Sequence, residues 1–245
     1  MKQIIVMMAA AVVLVGCGTA KVDPNAPAKI YDPIVEKAVR KSINKAHGEL
    51  TKVDLERVTE LDLMGAQITD VGLRDLAGLG KLKELHLTST QITDVGLKDV
   101  LKLKQLKILD LGNTQITDVG LKDVLKLQQL EILGLANTQI TDDGLEDMAN
   151  LQKLKWLLLD RTKITDAGLE EVAKLKKLES LWLTDTQITD DGIIHLAKLQ
   201  KLEELDLAGS KTSKAGVAEL KKALPKCYIS STPLGDLLNP PRETP

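Results

Sequence analysis

Leu106-Lys107-Ile108-Leu109-Asp110-Leu111-Gly112-Asn113-Thr114-Gln115-Ile116-Thr117-Asp118-Val119-Gly120-Leu121 returns almost unchanged when the frame moves by 24 residues in either direction. Leu61, Leu85, Leu109, Leu133, Leu157, Leu181 and Leu205 keep that interval without a slip, as do Leu63 to Leu207, Ile68 to Ile188 and Gly72 to Gly216. A unit this short cannot bury its apolar side chains alone, so neighbouring copies must stack and share one continuous core.

The spacing L-x-x-L-x-L-x-x-T-x-I, as in Leu106-x-x-Leu109-x-Leu111-x-x-Thr114-x-Ile116, resembles the leucine-rich repeat. The resemblance implies an α/β solenoid: a curved horseshoe with a parallel β-sheet on the concave face, helices on the convex face, and capped ends. The T-x-I-T-D-x-G-L form of Thr114 to Leu121 is closer to the helix-rich repeats of the ribonuclease-inhibitor and bacterial GALA type than to the short internalin repeat.

Within one copy, Leu82, Leu85 and Leu87 should point inward from a short strand, because strand side chains alternate at period two. Thr90 and Ile92 close the turn, Thr93-Asp94 starts a helical segment, and Leu97 and Val100 face back inward. Thr90, Thr114, Thr138, Thr162 and Thr186 recur at the turn, where their hydroxyls can bond nearby backbone.

Ahead of the repeats, Asp32-Pro33 reads as an N-cap followed by proline at the first helical position. Val35, Ala38, Val39, Ile43 and Ala46 fall on one helical face, with Gly48 as its stop, and Thr51 to Asp54 opens a second capped turn. Ile34 to Arg40, Leu50-Thr51 and Asp54-Leu55 together resemble the helical N-terminal cap of internalin-like bacterial proteins. A solenoid's first strand needs such a lid.

Lys2 followed by the apolar run Ile4 to Val15 has the form of a targeting segment. At ~1.5 Å per residue the run is too short for a ~30 Å hydrocarbon core. It leads into Leu14-Val15-Gly16-Cys17, which resembles the lipobox of bacterial lipoproteins. That resemblance implies cleavage before Cys17, its acylation, and, with Gly18 following, transport to the outer membrane. An ordinary secretory signal with an incidental cysteine is the alternative. The expected organisation is a signal peptide (1–16), a lipidated tether (17–30), a helical cap (31–54), repeats (55–230) and a loose tail (231–245). Ser210, Thr212 and Lys214 mark the decay of the last repeat, after which Leu224 to Ile229 reads as a closing strand with Cys227 and Ile229 inward.

Charge is nearly balanced, with 33 Lys and Arg against 35 Asp and Glu. That argues against a nucleic-acid binder, which would carry a basic stripe. Two cysteines make neither a disulfide framework nor a metal site. Asp70, Asp94, Asp118, Asp142, Asp166 and Asp190 form a column, but each follows a threonine at a helix start and is expected to cap that helix. His47, His86 and His195 are scattered, and no nucleophile elbow, phosphate loop or zinc-protease motif appears. The expectation is a non-enzyme without cofactor or metal.

The strand positions between the leucines are not required by the scaffold. Stacked at ~4.8 Å, they form columns on the concave face. One runs Glu60, Glu84, Ile108, Ile132, Trp156, Ser180, Glu204, and the next runs Asp62, His86, Asp110, Gly134, Leu158, Trp182, Asp206. The candidate binding surface is therefore Ile108, Asp110, Ile132, Gly134, Trp156, Leu158, Asp160, Arg161, Trp182 and Asp206. Glu60, Asp62, Glu84, Asp185 and Glu204 extend the acidic rim, and Arg161 is the one firm cation beside it. Contiguous apolar surface marks binding sites, and Trp is enriched at interface hot spots. The alternative for Trp156 and Trp182 is that they pack on each other or under the tail.

An envelope-anchored module binding a protein or peptide, a basic one by charge, is the first expectation, with the membrane met only through the anchor. Glycan or cell-wall binding and a structural spacer are the alternatives. Similar repeats occur in F-box adaptors and bacterial effectors, but no F-box or catalytic domain accompanies them here.

Overall fold

The computed structural model describes Asp23 and residues 25–231. The signal segment, Cys17 with the first part of the tether, and residues 232–245 of the expected tail lie outside the described residues.

Eight three-residue strands form one parallel sheet in strict chain order. They are β1 Glu60–Asp62, β2 Glu84–His86, β3 Ile108–Asp110, β4 Ile132–Gly134, β5 Trp156–Leu158, β6 Ser180–Trp182, β7 Glu204–Asp206 and β8 Tyr228–Ser230. The register follows the 24-residue period, with Leu61 opposite Leu85, Leu85 opposite Leu109, and so on to Leu205 opposite Ile229. These leucines and their partners Leu87, Leu111, Leu135, Leu159 and Leu183 are fully buried. Each contributes ~1.5–3 kcal/mol by leaving water.

The first cap helix, α1, spans Pro33–Ser42, and Asp32 accepts the Ile34 and Val35 N–H groups at its start. It ends well before Gly48. Asn44 takes the left-handed conformation at φ 54°, and the Lys45 N–H reaches back to the Arg40 carbonyl at 3.0 Å. Lys45 is thus freed from the helix and turns to Asp54, its Nζ 2.6 Å from Oδ2. Asp54 lies in α2 (Lys52–Glu56), whose capping box joins it reciprocally to Thr51. Val35 and Val39 are fully buried against the first repeat, as a lid requires. Residues 26–30, expected as tether, instead lie along the cap. Pro27 bridges Thr51, Ala28 N–H donates to the Leu50 carbonyl, and Lys52 N–H donates to Ala26.

On the convex side are α3 (Asp94–Val100), α4 (Asp118–Val124), α5 (Asp142–Leu145), α6 (Asp166–Val172), α7 (Asp190–Ile193) and α8 (Lys214–Ala223). Short 3₁₀ turns begin the series at Gly72–Gly78 and follow α5 and α7. The turn threonines are buried, and each hydroxyl donates to the carbonyl three residues back, Thr90 to Leu87 and Thr114 to Leu111 among them.

The aspartate column was expected to cap its own helices, but the hydrogen bonds of its carboxylates go elsewhere. Thr93 and its equivalents occupy the N-cap, while each carboxylate reaches forward to the next repeat. Asp70 accepts the Thr93 backbone N–H at 2.8 Å and its hydroxyl at 2.7 Å. The same pair of bonds recurs from Asp94, Asp118, Asp142 and Asp166, and from Asp190 to Ser213. Gly96 belongs to this ladder, because a Cβ there would stand 2.5 Å from Asp70 Oδ1.

Candidate interaction surface

Strand alternation decides which side chains reach the concave face, and adjacent residues separate sharply. Leu157 and Leu181 are 0% exposed, whereas Trp156 and Trp182, each next to one of them, are 45% and 37% exposed. Register places Trp156 opposite Ser180 and Leu158 opposite Trp182. The two indoles therefore sit on adjacent strands in adjacent columns. Ile108 and Ile132 continue the Trp156 column as half-buried apolar positions.

Trp182 is held in place. Its Nε1–H donates to Ser180 Oγ at 3.0 Å, and the Ser180 hydroxyl donates to Glu204 Oε2 at 3.3 Å. Ser180 is buried between the two strands that flank it. Tyr228 stands opposite Glu204 on β8 and is 68% exposed, which puts a third aromatic ring in the Trp156 column. Adding 24 to Glu204 would have found it.

The polar members of the predicted set are less free than their residue types suggest. Asp110 accepts the Gly112 N–H at 3.0 Å and Asp206 accepts the Ala208 N–H at 2.9 Å, so both shape the turn leaving their strand. Gly134 is buried and makes room for this arrangement, since a Cβ there would lie 2.5 Å from Asp110 Oδ1. Asp160 accepts the Thr184 N–H at 2.9 Å. Burial pushes its carboxyl above the ordinary range, with the Asp206 carboxylate adding to the rise against the lowering bonds from Thr184. Arg161 is not a free cation, because its Nε lies 3.1 Å from Asp185 Oδ2. The surface is an aromatic and aliphatic strip with carboxylates along it, and its single expected cation is already neutralised.

Cys227 is 3% exposed, and burial pushes its thiol up to about 11, so it serves the core. None of the described helices is long and apolar enough to cross a membrane.

Residues 38–235 match the family model described as a leucine-rich repeat region. Among solved structures, the chain is similar to internalin C2 from Listeria monocytogenes, with 27% identity and a TM-score of 0.63 over 85% of this chain and 100% of that one. It is also similar to a leucine-rich repeat protein of Leptospira interrogans, at 26% identity and a TM-score of 0.50, covering 64% of this chain and 45% of that one. A plant ice-binding protein shares the fold at 19% identity and a TM-score of 0.51, covering 73% and 57% of the two chains. No curated protein sequence matches.

Proposed function

Since this chain belongs to the leucine-rich repeat family, we propose that it is an envelope-anchored interaction module whose concave sheet seats a protein or peptide around Trp156 and Trp182. The observation that carries this reading is the exposure of both tryptophans one residue away from fully buried leucines. The scaffold does not need those rings, and their apolar area is available to a partner. Carboxylates beside them favour a basic partner and faster encounter. The internalin likeness supports a recognition role, and no catalytic family is indicated. Anchoring through Cys17, a bacterial source and an outer-membrane location belong to the proposal and rest on the Leu14 to Gly18 resemblance.

Capture from envelope extract tests it. Wild-type protein should retain a specific protein that the Trp156→Ala and Trp182→Ala variants lose. The same capture by all three would overturn the assignment of the surface. Tyr228 favours one second reading, glycan binding, because three exposed rings on one face can stack on sugars. Retention on purified, protein-free cell wall that falls in Trp156→Ala and Tyr228→Ala would select it.

A further inference from the structure

At the cap end of the same sheet, three potential donors converge that the aromatic strip does not use. Glu60 on β1 faces Glu84 on β2 in register, and His86 stands two residues beyond Glu84 on the same face. One ligand atom from each of the three lies within 4.8 Å of the others. The carboxylates have no ion-pair partner among the described residues. The cations bordering Glu60 are engaged elsewhere, Lys41 with Asp62 at 4.0 Å and Arg57 with Asp54 at 3.7 Å.

Like charges directly opposite across a strand pair are destabilising. Some charges in this solenoid find an opposite partner in the neighbouring repeat. Lys107 and Lys155 flank Glu131 at 2.7 and 3.6 Å, and Arg161 stacks on Asp185. Glu60 and Glu84 have no such partner among the described residues and stand together beside an imidazole, which is a donor set for a cation.

We propose that Glu60, Glu84 and His86 bind a divalent transition-metal ion of the zinc class. Two carboxylates and one imidazole match the nitrogen and oxygen ligands such ions take, at ~2.0–2.2 Å each. Donors around a tetrahedral ion stand about 3.4 Å apart, so the three atoms close on it by rotation of two flexible glutamate side chains. The imidazole selects zinc, copper or nickel over magnesium and calcium, which take oxygen donors. Three protein ligands leave one position for water or for a donor from a molecule in the groove. The site sits on β1 and β2, three strands from Trp156 on β5, and is independent of the aromatic strip.

Tag-free, chelator-stripped full-length protein titrated with Zn2+ tests the proposal. One ion per chain should bind, and Zn2+ should raise the melting temperature. His86→Ala and Glu84→Gln should each weaken binding by about tenfold or more, at least what loss of a supporting partner costs a metal site. His195→Ala, which removes the imidazole 3.6 Å from Glu170, should leave binding unchanged, as should Trp156→Ala. All four altered groups are at least partly exposed, so the variants fold. Absence of saturable binding, unchanged affinity in His86→Ala, or equal competition by Ca2+ would overturn the assignment.

Discussion

Asp70 and Thr93 lie 23 residues apart in the chain, yet one carboxylate holds both the backbone N–H and the hydroxyl of the other. Charged acceptors make the stronger hydrogen bonds, and a repeated bond between neighbours is what couples a one-dimensional array. The ladder also accounts for the glycine two residues after each aspartate from Asp94 on, which supplies the space the previous repeat's carboxylate occupies.

Asp118→Ala should therefore cost about 2 kcal/mol in urea unfolding, since Thr141 loses both partners. Gly144→Ala should destabilise too, because its methyl meets the Asp118 carboxylate. Combined, the two should cost less than their sum, as the first change removes the obstacle to the second. Strict additivity would mean that the glycine has another cause.

Leu157→Ala and Leu181→Ala should each cost ~2–5 kcal/mol, because both side chains are fully buried. Trp156→Ala should stay within about 0.5 kcal/mol of wild type. Trp182→Ala should cost somewhat more, because its indole N–H is bonded to buried Ser180. Thermal melts of the four variants give the comparison. Equal losses for Trp and Leu would make the rings structural.

Val39→Asp should place a charge in the fully buried contact between α1 and the first repeat, at a cost of about 3 kcal/mol or more. Amide exchange should accelerate first in residues 31–65 and least in the last repeats. Uniform protection would mean that α1 is not a lid.

The cap should also be sensitive to acid. Lys45, hydrogen-bonded to Asp54 and assisted by Thr51, holds that carboxyl at about 2 against an ordinary 3.8. A value lowered on folding contributes stability that is complete above pH ~4 and is lost as pH falls toward 2. Amide exchange in α1 and α2 should therefore rise across that window. Lys45→Met should flatten the dependence while weakening the cap at pH 5. An unchanged slope would show that the pair is not its source.

Metabolic labelling with a fatty-acid analogue addresses the anchor. The wild type should carry label and Cys17→Ala should not. Equal labelling would remove the lipoprotein proposal and leave the interaction surface untouched.

The repeat and the inward leucines were legible because period and alternation are geometric and act on every copy. Trp156 and Trp182 were legible for the same reason. The direction of the aspartate bonds was not. A Thr-Asp pair at a helix start can satisfy its own turn or the next repeat, and only the stacking distance between copies decides. The end of α1 was misplaced because Asn44 and Gly48 both accept a left-handed backbone, and the pull of Asp54 on Lys45 favours the earlier one. Arg161 looked free because its partner Asp185 is 24 residues away in the chain. Glu60, Glu84 and His86 were visible as column members, but their convergence depends on side-chain reach.

Every rung of the Asp–Thr ladder leaves one repeat as acceptor and enters the next as donor, so each copy carries one plug and one socket. A gene duplication that adds one whole unit would insert a complete pair and orphan neither end. An insertion of any other length would leave a carboxylate facing the wrong residue. The length of the concave face is consequently heritable in steps of one repeat. A lineage could widen or narrow its groove by slippage at the gene level while the cap and the closing strand stay as they are.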